Sequence, residues 1–196
     1  NRMVMLPPVL AHMKALGYAV FANPKYDYDL NIYGIRSKEA GTPNTFNDAI
    51  GVFYLWDGCW RNHLWSATVD PGSFWLENPM SVKGTAVLAP GQYRGAYELG
   101  KHRGQYWSLT QVGEVTVWRD PNRDTVPDRW GKTETGFFGI NIHKAGKVST
   151  QIDRWSAGCQ VFQREKDFEE FMDICRKQVS LCGFKTFTYT LLDQWW

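Results

Sequence analysis

Two residues that can carry out nucleophilic chemistry lie sixteen positions apart, a histidine at 143 and a cysteine at 159. A thiol is an effective nucleophile as the thiolate, and a nearby imidazole can lower its pKa or accept its proton. His143 closes the apolar stretch 137–142, and Cys159 follows the small residues 156–158, which permit a tight turn and leave room for a substrate. Backbone N–H groups of such a turn can form an oxyanion hole. The pattern predicts acyl transfer by a cysteine–histidine pair; the alternative is a buried cysteine and an unrelated histidine at the end of a strand.

The segment 138–162, FGINIHKAGKVSTQIDRWSAGCQVF, resembles the catalytic domain of L,D-transpeptidases, the YkuD-type fold. That family carries a histidine at the end of a strand with a small apolar motif, then a loop, then Ser-x-Gly-Cys. The matching elements here are Gly139-Ile140-Asn141-Ile142-His143 and Ser156-Ala157-Gly158-Cys159. The resemblance implies that Cys159 is the nucleophile and that His143 is the base, oriented by a backbone carbonyl or a hydroxyl. It also implies that Ser156 and Gly158 shape the site.

The same resemblance implies a β-sandwich-like domain that forms an acyl-enzyme on the stem peptides of peptidoglycan. Two positions depart from the family pattern. Lys144 follows the histidine where the family has Gly, and Gln160-Val161 follow the cysteine where the family has Ile or Val and then Arg. The absent arginine would help to hold the site or a substrate carboxylate, a role that is open to Arg154 or Arg164.

These departures favour hydrolysis over crosslinking, so we expect a cysteine cell-wall hydrolase of the L,D-peptidase or endolysin kind. A true L,D-transpeptidase that crosslinks peptidoglycan is the first alternative. The second is an inactive module that binds the wall, and the third is a cysteine peptidase that acts on proteins. Faster alkylation of Cys159 than of the other cysteines would separate the enzymes from the binding module.

Three upstream segments, 31–36, 68–72 and 91–94, are similar to phage and bacterial proteins that carry this kind of catalytic end. That similarity implies a wall enzyme used by a phage or against a neighbouring cell. It places the protein outside the cytoplasm, in the periplasm, the cell wall or a phage particle. The first residue is Asn rather than Met, which is compatible with processing of a longer chain.

A groove beside the thiol is the expected place for a substrate. Arg94 has the planar fork that matches a stem-peptide carboxylate, although strand packing with one exposed cation explains it as well. His102 is an alternative base for Cys159, because chain order does not fix geometry. The residues expected to line the groove are Tyr93, Arg94, Tyr97, His102 and Tyr106, and substrate contacts are also expected from Arg154 and Trp155.

Acidic and amide residues after position 119 form a D-x-N-x-D-x-x-x-D pattern of the kind that wraps Ca²⁺. They are Asp120, Asn122, Asp124 and Asp128. The sixth position, where a Ca²⁺ loop needs Gly, is Thr125, so a solvated turn held by Asx side chains fits better. The cysteines lack CxxC spacing, and we expect neither a metal nor a cofactor.

The chain of 196 residues suits one catalytic domain over 1–196, with a helical N-terminal appendage over 1–28. A net charge of +2 without a basic stripe argues against nucleic acid as a partner. No apolar run reaches the length of a membrane span, and we expect a monomer. Cys175 and Cys182 are expected to be buried small hydrophobic residues, and Cys59 has no assigned role.

Many short strands between Gly and Pro turns predict a mainly β fold with flanking helices, an α+β sandwich or barrel. One long helix is predicted in the C-terminal half, over 167–181, where apolar residues recur at helical spacing. A short helix is predicted over 7–16. Strands are predicted over 18–21, 29–36, 49–56, 60–69, 83–89, 93–99, 106–111, 114–118, 137–142, 160–162 and 184–192.

Overall fold

The computed structural model of the protein describes residues 5–39, 44–147 and 149–196, so the first four residues of the expected appendage lie outside it. Over the described residues there are three helices and eleven strands. The helices are α1 (Pro8–Ala15), α2 (Ser73–Glu77) and α3 (Glu165–Cys182). The strands are β1 (Asn31–Arg36), β2 (Asp48–Trp56), β3 (Cys59–Thr68), β4 (Thr85–Leu88), β5 (Gly91–His102), β6 (Tyr106–Gln111), β7 (Val115–Asp120), β8 (Thr133–Gly136), β9 (Ile142–Lys144), β10 (Gln160–Phe162) and β11 (Thr186–Asp193).

Of the strands in these ranges, eight close into a barrel in the order β1-β11-β5-β6-β9-β10-β3-β2. The other three form a small antiparallel sheet in the order β4-β7-β8. Most neighbouring strands are antiparallel, but β1 with β11 and β9 with β10 run parallel. The predicted mainly β fold with flanking helices is therefore confirmed, and its main sheet is a closed barrel.

Strand β1 is buried along its whole length because its two faces serve two cores. Ile32 points into the core inside the barrel, whereas Tyr33 and Ile35 pack outward. The outward residues meet Leu10 and Met13 of α1. The N-terminal helix thus covers the outside of the barrel.

Helix α3 is amphipathic and buries its apolar face in the barrel core. Phe168, Phe171, Met172 and Cys175 belong to the same buried cluster as the inward residues of the strands. Gly183 ends the helix with a φ of 74°, the left-handed conformation that suits glycine. The predicted long helix is confirmed. None of the helices in the described ranges is long and apolar enough to span a bilayer.

Two predicted strands do not form, because amide side chains from elsewhere bind their backbones. The segment 137–141 is irregular: Gln111 Oε1 accepts the N–H groups of Phe138 and Ile140, and Gly139 has a φ of 65°. A strand begins only at Ile142.

The prediction of a strand over 18–21 is also wrong, because side-chain amides bind this backbone as well. Gln92 Oε1 accepts the Ala19 N–H at 2.9 Å, and Asn31 Oδ1 accepts the Phe21 N–H at 2.7 Å. Side-chain amides here take the place of a neighbouring strand.

Candidate active site

The parallel pairing of β9 and β10 brings the two predicted chemical residues together. Its register sets His143 opposite Val161, and the Gln160 N–H donates to Asn141 O at 3.0 Å. Cys159 precedes β10 directly, so it lies beside Asn141 on the face of the sheet that His143 shares. With strands about 4.8 Å apart and a rise of about 3.3 Å per residue, the Cα atoms of Cys159 and His143 are about 8 Å apart.

Ser156 builds the turn that presents Cys159. Its buried hydroxyl donates to Cys159 O at 2.7 Å and accepts the Gly158 N–H at 3.2 Å. Gly158 has a φ of 119°, and a Cβ atom there would lie 2.5 Å from Ala86 O. The turn therefore requires glycine at 158. The Gly158 N–H is bound by Ser156 and is not free for the oxyanion role expected of backbone N–H groups in this turn.

The loop before this turn is fastened to the start of α2. Asn44 Oδ1 accepts the N–H groups of Ser73 and Asp153, at 2.9 and 2.7 Å. The Gly72 N–H donates to Ser156 O at 2.8 Å. These bonds fix residues 149–158, and with them the position of Cys159.

The ring of His143 is 4% exposed and is held through Nδ1. This atom lies 2.8 Å from Lys144 O. Because a carbonyl only accepts hydrogen bonds, the ring proton sits on Nδ1 and Nε2 is the unprotonated acceptor. The Tyr106 hydroxyl lies 3.3 Å from Nδ1 and from Lys144 O. His143 therefore offers the unprotonated nitrogen that a base needs.

A second imidazole, that of His102, lies against the first, with ring centroids 4.0 Å apart and an interplanar angle of 21°. Its Nδ1 lies 3.1 Å from Asn141 Nδ2. Asn141 Oδ1 accepts the Gln111 N–H at 3.0 Å, which orients the amide and makes Nδ2 the donor to His102. His102 thus carries its proton on Nε2. Of the two histidines that the sequence offered as bases, His143 is the one with a free Nε2.

Burial keeps both members of the pair uncharged. Loss of solvent, reinforced by His102, lowers the pKa of His143 to about 3. Burial raises the pKa of the Cys159 thiol to about 11, although the Asn141 N–H and Arg103 oppose the shift. The imidazole therefore does not lower the resting pKa of the thiol, and its remaining role is to accept a proton. At neutral pH the thiol is protonated and lies 3.4 Å from Gly139 O.

Arg103 is a cation of the site that the sequence analysis missed. It lies in the turn between β5 and β6, where Arg103 and Gly104 have φ values of 49° and 71°. Its side chain is exposed. Its charge contributes to the lowered pKa values of His143 and His102 and partly offsets the rise in the pKa of Cys159. Its place beside His102 in a tight turn was the signal available in the sequence.

Arg94 is not brought to the pair. Its guanidinium lies 5.6 Å from the centroid of the Phe21 ring, and it lines an open cavity of about 790 Å³ together with Lys185. On β5 it precedes His102 by eight residues, about 26 Å along the strand. The expected carboxylate contact of Arg94 would therefore lie in a different cavity.

Tyr93 and Tyr97 are core residues. The Tyr93 hydroxyl donates to Ala89 O, and the Tyr97 hydroxyl donates to Ile140 O at 2.9 Å. Tyr106 differs from both, because its hydroxyl reaches His143.

Arg154 and Trp155 belong to the loop before Cys159, and the contacts of Arg154 are with α2. The Arg154 guanidinium lies 4.0 Å from the centroid of the Phe74 ring, and its carbonyl accepts the indole N–H of Trp75 at 2.9 Å. Trp155 is exposed. Arg164, the other cation considered as a replacement for the family arginine, lies 3.8 Å from Asp167 at the start of α3.

Two cavities are lined by neighbours of the pair, and neither Cys159 nor His143 is among the described residues that line them. One of about 140 Å³ borders the turn through Ala157, with Phe138 and Ala86 in its lining. The other, of about 360 Å³, is lined by Tyr106 and Lys144, which hold the Nδ1 edge of His143.

The acidic segment after β7 folds as the Asx-held turn that the sequence predicted. Asp120 Oδ2 accepts the Asp128 N–H at 2.7 Å, and Asp124 Oδ1 accepts the Val126 N–H at 2.9 Å. Asn122 Oδ1 accepts the Asp124 N–H at 3.2 Å. These side-chain oxygens serve the backbone of the turn.

The other three cysteines are free thiols. Cys175 is fully buried on α3, as predicted. Cys182 is only partly buried, and its thiol lies 2.9 Å from Asp27 O. Cys59 is exposed at the start of β3.

The chain matches no protein-family model, no curated protein and no solved structure with which it was compared. The resemblance of segment 138–162 to L,D-transpeptidases therefore stays a prediction from sequence.

Proposed function

We propose that this protein is a cysteine acyl-transfer enzyme that hydrolyses amide bonds in the stem peptides of peptidoglycan. One observation carries the chemistry: the junction of β9 and β10 sets Cys159 and His143 on one face of the sheet, with their Cα atoms about 8 Å apart, and Nδ1 of this histidine is bound to a carbonyl. The short resemblance to L,D-transpeptidases supports the choice of substrate.

Both groups are neutral at rest, so the reaction starts from a thiol and an imidazole rather than from an ion pair. As Sγ of Cys159 bonds to the amide carbon, its proton passes to Nε2 of His143 and the carbonyl electron pair moves to oxygen. Collapse of this intermediate breaks the C–N bond, and His143 protonates the leaving amine. Water then attacks the thioester and gives a proton to His143, which returns it to sulfur as the C–S bond breaks.

Substrate binding must bring Sγ and Nε2 together. Among the hydrogen bonds of the described residues, none joins the Cys159 thiol to either imidazole. Contacts of this kind commonly tighten when substrate is bound. Arg103 favours negative charge on the sulfur and on an oxyanion formed next to it.

The residues that depart from the family pattern support hydrolysis over crosslinking. Lys144 lies 3.4 Å from Glu165, and the Gln160 side chain is buried in the barrel, where it accepts the Tyr189 hydroxyl at 2.7 Å. Neither side chain is free to hold the carboxylate of a second stem.

Digestion of purified peptidoglycan, read by mass spectrometry of the muropeptides, tests this proposal. We expect wild type to shorten stem peptides at one bond and Cys159→Ala to leave them intact, while Cys59→Ala, which removes an exposed thiol, cleaves like wild type. New crosslinks or exchanged terminal residues would instead identify a transpeptidase. Intact muropeptides with wild type on several wall types would contradict an enzymatic role, and cosedimentation with walls would then identify a binding module.

A further inference from the structure

The imidazoles of His102 and His143 are stacked, and hydrogen bonds fix His102 in a single tautomer. The Gln111 N–H donates to Asn141 Oδ1, and Asn141 Nδ2 donates to His102 Nδ1, at 3.0 and 3.1 Å. His102, at the end of β5, then lies flat on His143 of β9. Each hydrogen bond has one possible polarity, because a backbone N–H and an amide nitrogen only donate.

We propose that His102 is a positioning residue for His143, and that Asn141 holds His102 neutral with its proton on Nε2. The inference rests on the proposed function in taking Cys159 and His143 as the working pair. His102 is not required to touch the reacting atoms, since it acts through the orientation of the neighbouring ring.

Orientation is the first effect of this arrangement. The second side-chain torsion of a histidine is broad and roughly two-fold, so an unsupported ring samples several directions for Nε2. The ring of His143 is held by Lys144 O along its Nδ1 edge and by the His102 ring across one face. Together, the edge and face contacts leave Nε2 aimed in one direction.

Charge is the second effect. When His143 takes the thiol proton it becomes a cation, and a protonated His102 with its ring 4.0 Å away would oppose that step. The amide donor from Asn141 occupies His102 Nδ1, where a second proton would have to bind. Burial, with the charge of Arg103, lowers the pKa of His102 as well.

The other groups around His143 do not replace this control. Tyr106 is uncharged, since burial raises its pKa to about 12. Lys144 is paired with Glu165, and Arg103 is exposed on its turn. The protonation state of His102 thus sets the one variable charge in direct contact with the His143 ring, among the groups named here.

Replacement of His102 by Ala and by Phe tests the inference. The direct readout is the ring proton of His143, followed by NMR against pH, and it needs no substrate. His102→Ala removes the stacked ring and admits water, so the pKa of His143 rises from about 3 and the acid limb of kcat/KM moves up with it. His102→Phe keeps a stacked ring that excludes water and removes only the charge of His102, so the pKa of His143 rises less than in His102→Ala.

Kinetics on a stem-peptide fragment should follow the same order. We expect kcat/KM to fall by about ten- to a hundredfold in His102→Ala, because a displaced base is costly, and by at most about threefold in His102→Phe. His63→Ala is the matched control: this histidine stacks on Trp65, with ring centroids 5.6 Å apart, and should leave the titration of His143 unchanged.

The variant Asn141→Ala is an independent test of the inference. Asn141→Ala should raise the pKa of His102, because Nδ1 can then take a second proton, and it should move the titration of His143 down rather than up. In the His102→Phe background it should add almost nothing, because Phe has no Nδ1 to hold. An unchanged His143 titration in folded His102→Ala, or equal effects of Ala and Phe at 102, would overturn the inference. If the titration shifts as expected while no wall is cleaved, the proposed function fails and the positioning role stands.

Discussion

Cys159 and Cys59 carry the same thiol group in opposite surroundings. Cys59 is exposed at the start of a strand, whereas burial raises the pKa of Cys159 to about 11. A protonated thiol of this kind attacks a carbonyl when a base removes its proton during the attack, and in the proposed mechanism that base is Nε2 of His143. Reactivity at this site should therefore depend on a bound substrate rather than on a standing thiolate.

Alkylation by iodoacetamide tests the neutral state of the thiol. We expect Cys159 to react more slowly than Cys59 at neutral pH, because its thiolate fraction is small. This reverses the expectation from the sequence, so fast alkylation no longer separates an enzyme from a binding module. The rate at Cys159 should rise about tenfold per unit from about pH 7 to pH 10, in step with the thiolate fraction. Timed quenching and peptide mass mapping measure both sites in one sample. A Cys159 that outpaces Cys59 at neutral pH would show a preformed thiolate and contradict the neutral pair.

Arg103→Gln removes the exposed cation whose charge favours the thiolate of Cys159. Without it the pKa of the thiol rises, so alkylation of Cys159 at a fixed alkaline pH should slow by about threefold, the size expected for an exposed charge. Lys101→Gln, which removes a cation two positions away on β5, is the control and should have no such effect. Equal rates in Arg103→Gln and wild type would show that the guanidinium does not act on the sulfur.

At the scale of elements, the site is made by two short parallel strands and the turn that enters the second. β9 and β10 are three residues each, so their pairing alone fixes little. The turn adds further contacts. The Ser156 hydroxyl bonds to Cys159 O and to the Gly158 N–H, and Gly158 packs against the backbone of Ala86 in the small sheet. The position of Cys159 thus depends on contact between the barrel and the second sheet.

Gly158→Ala tests that contact. A Cβ atom at 158 meets Ala86 O, so we expect a loss of about 1–3 kcal/mol in the free energy of unfolding, together with loss of cleavage. Gly58→Ala is the control, since Gly58 also has a positive φ, 72°, but has nothing within 4 Å of the added atom. That control should lose about 1 kcal/mol and keep its activity. Urea unfolding and muropeptide release measure the two effects, and equal behaviour of both variants would contradict the packing argument.

At the scale of the whole molecule, closure of the barrel buries charge. Arg36 is 1% exposed, lies 3.1 Å from Asp70 and donates to Val69 O and Leu88 O. Burial, reinforced by the charge of Asp70, raises the pKa of the neighbouring Asp48 to about 6. The folded barrel therefore binds a proton at Asp48 more tightly than the unfolded chain does.

The pH dependence of stability follows from that shift. The folded pKa of Asp48 lies above its ordinary value of 3.8, so its stabilising contribution is complete below that value and is lost as pH rises through about 6. We expect the difference in Tm between wild type and Asp48→Asn to move in favour of wild type as the pH is lowered from about 7 to 5. The comparison cancels the opposite contribution of His143, whose pKa burial lowers to about 3. Thermal melts followed by circular dichroism measure it. The same pH dependence in both proteins would show that Asp48 does not titrate in this range.

The sequence by itself determined the mainly β class, the long helix and the pairing of a histidine strand with a Ser-x-Gly-Cys turn. These are local properties: alternation of apolar residues, helical spacing around Phe168 and Phe171, and small residues before Cys159. The tertiary structure alone decided that 18–21 and 137–141 are not strands, because Gln92 and Gln111 reach them from distant strands. It also stacked His102 on His143, placed Arg94 in a cavity away from the pair, and raised the pKa of the Cys159 thiol so that it is neutral. Burial and hydrogen bonds between residues far apart in the chain arise from packing, and no local pattern encodes them.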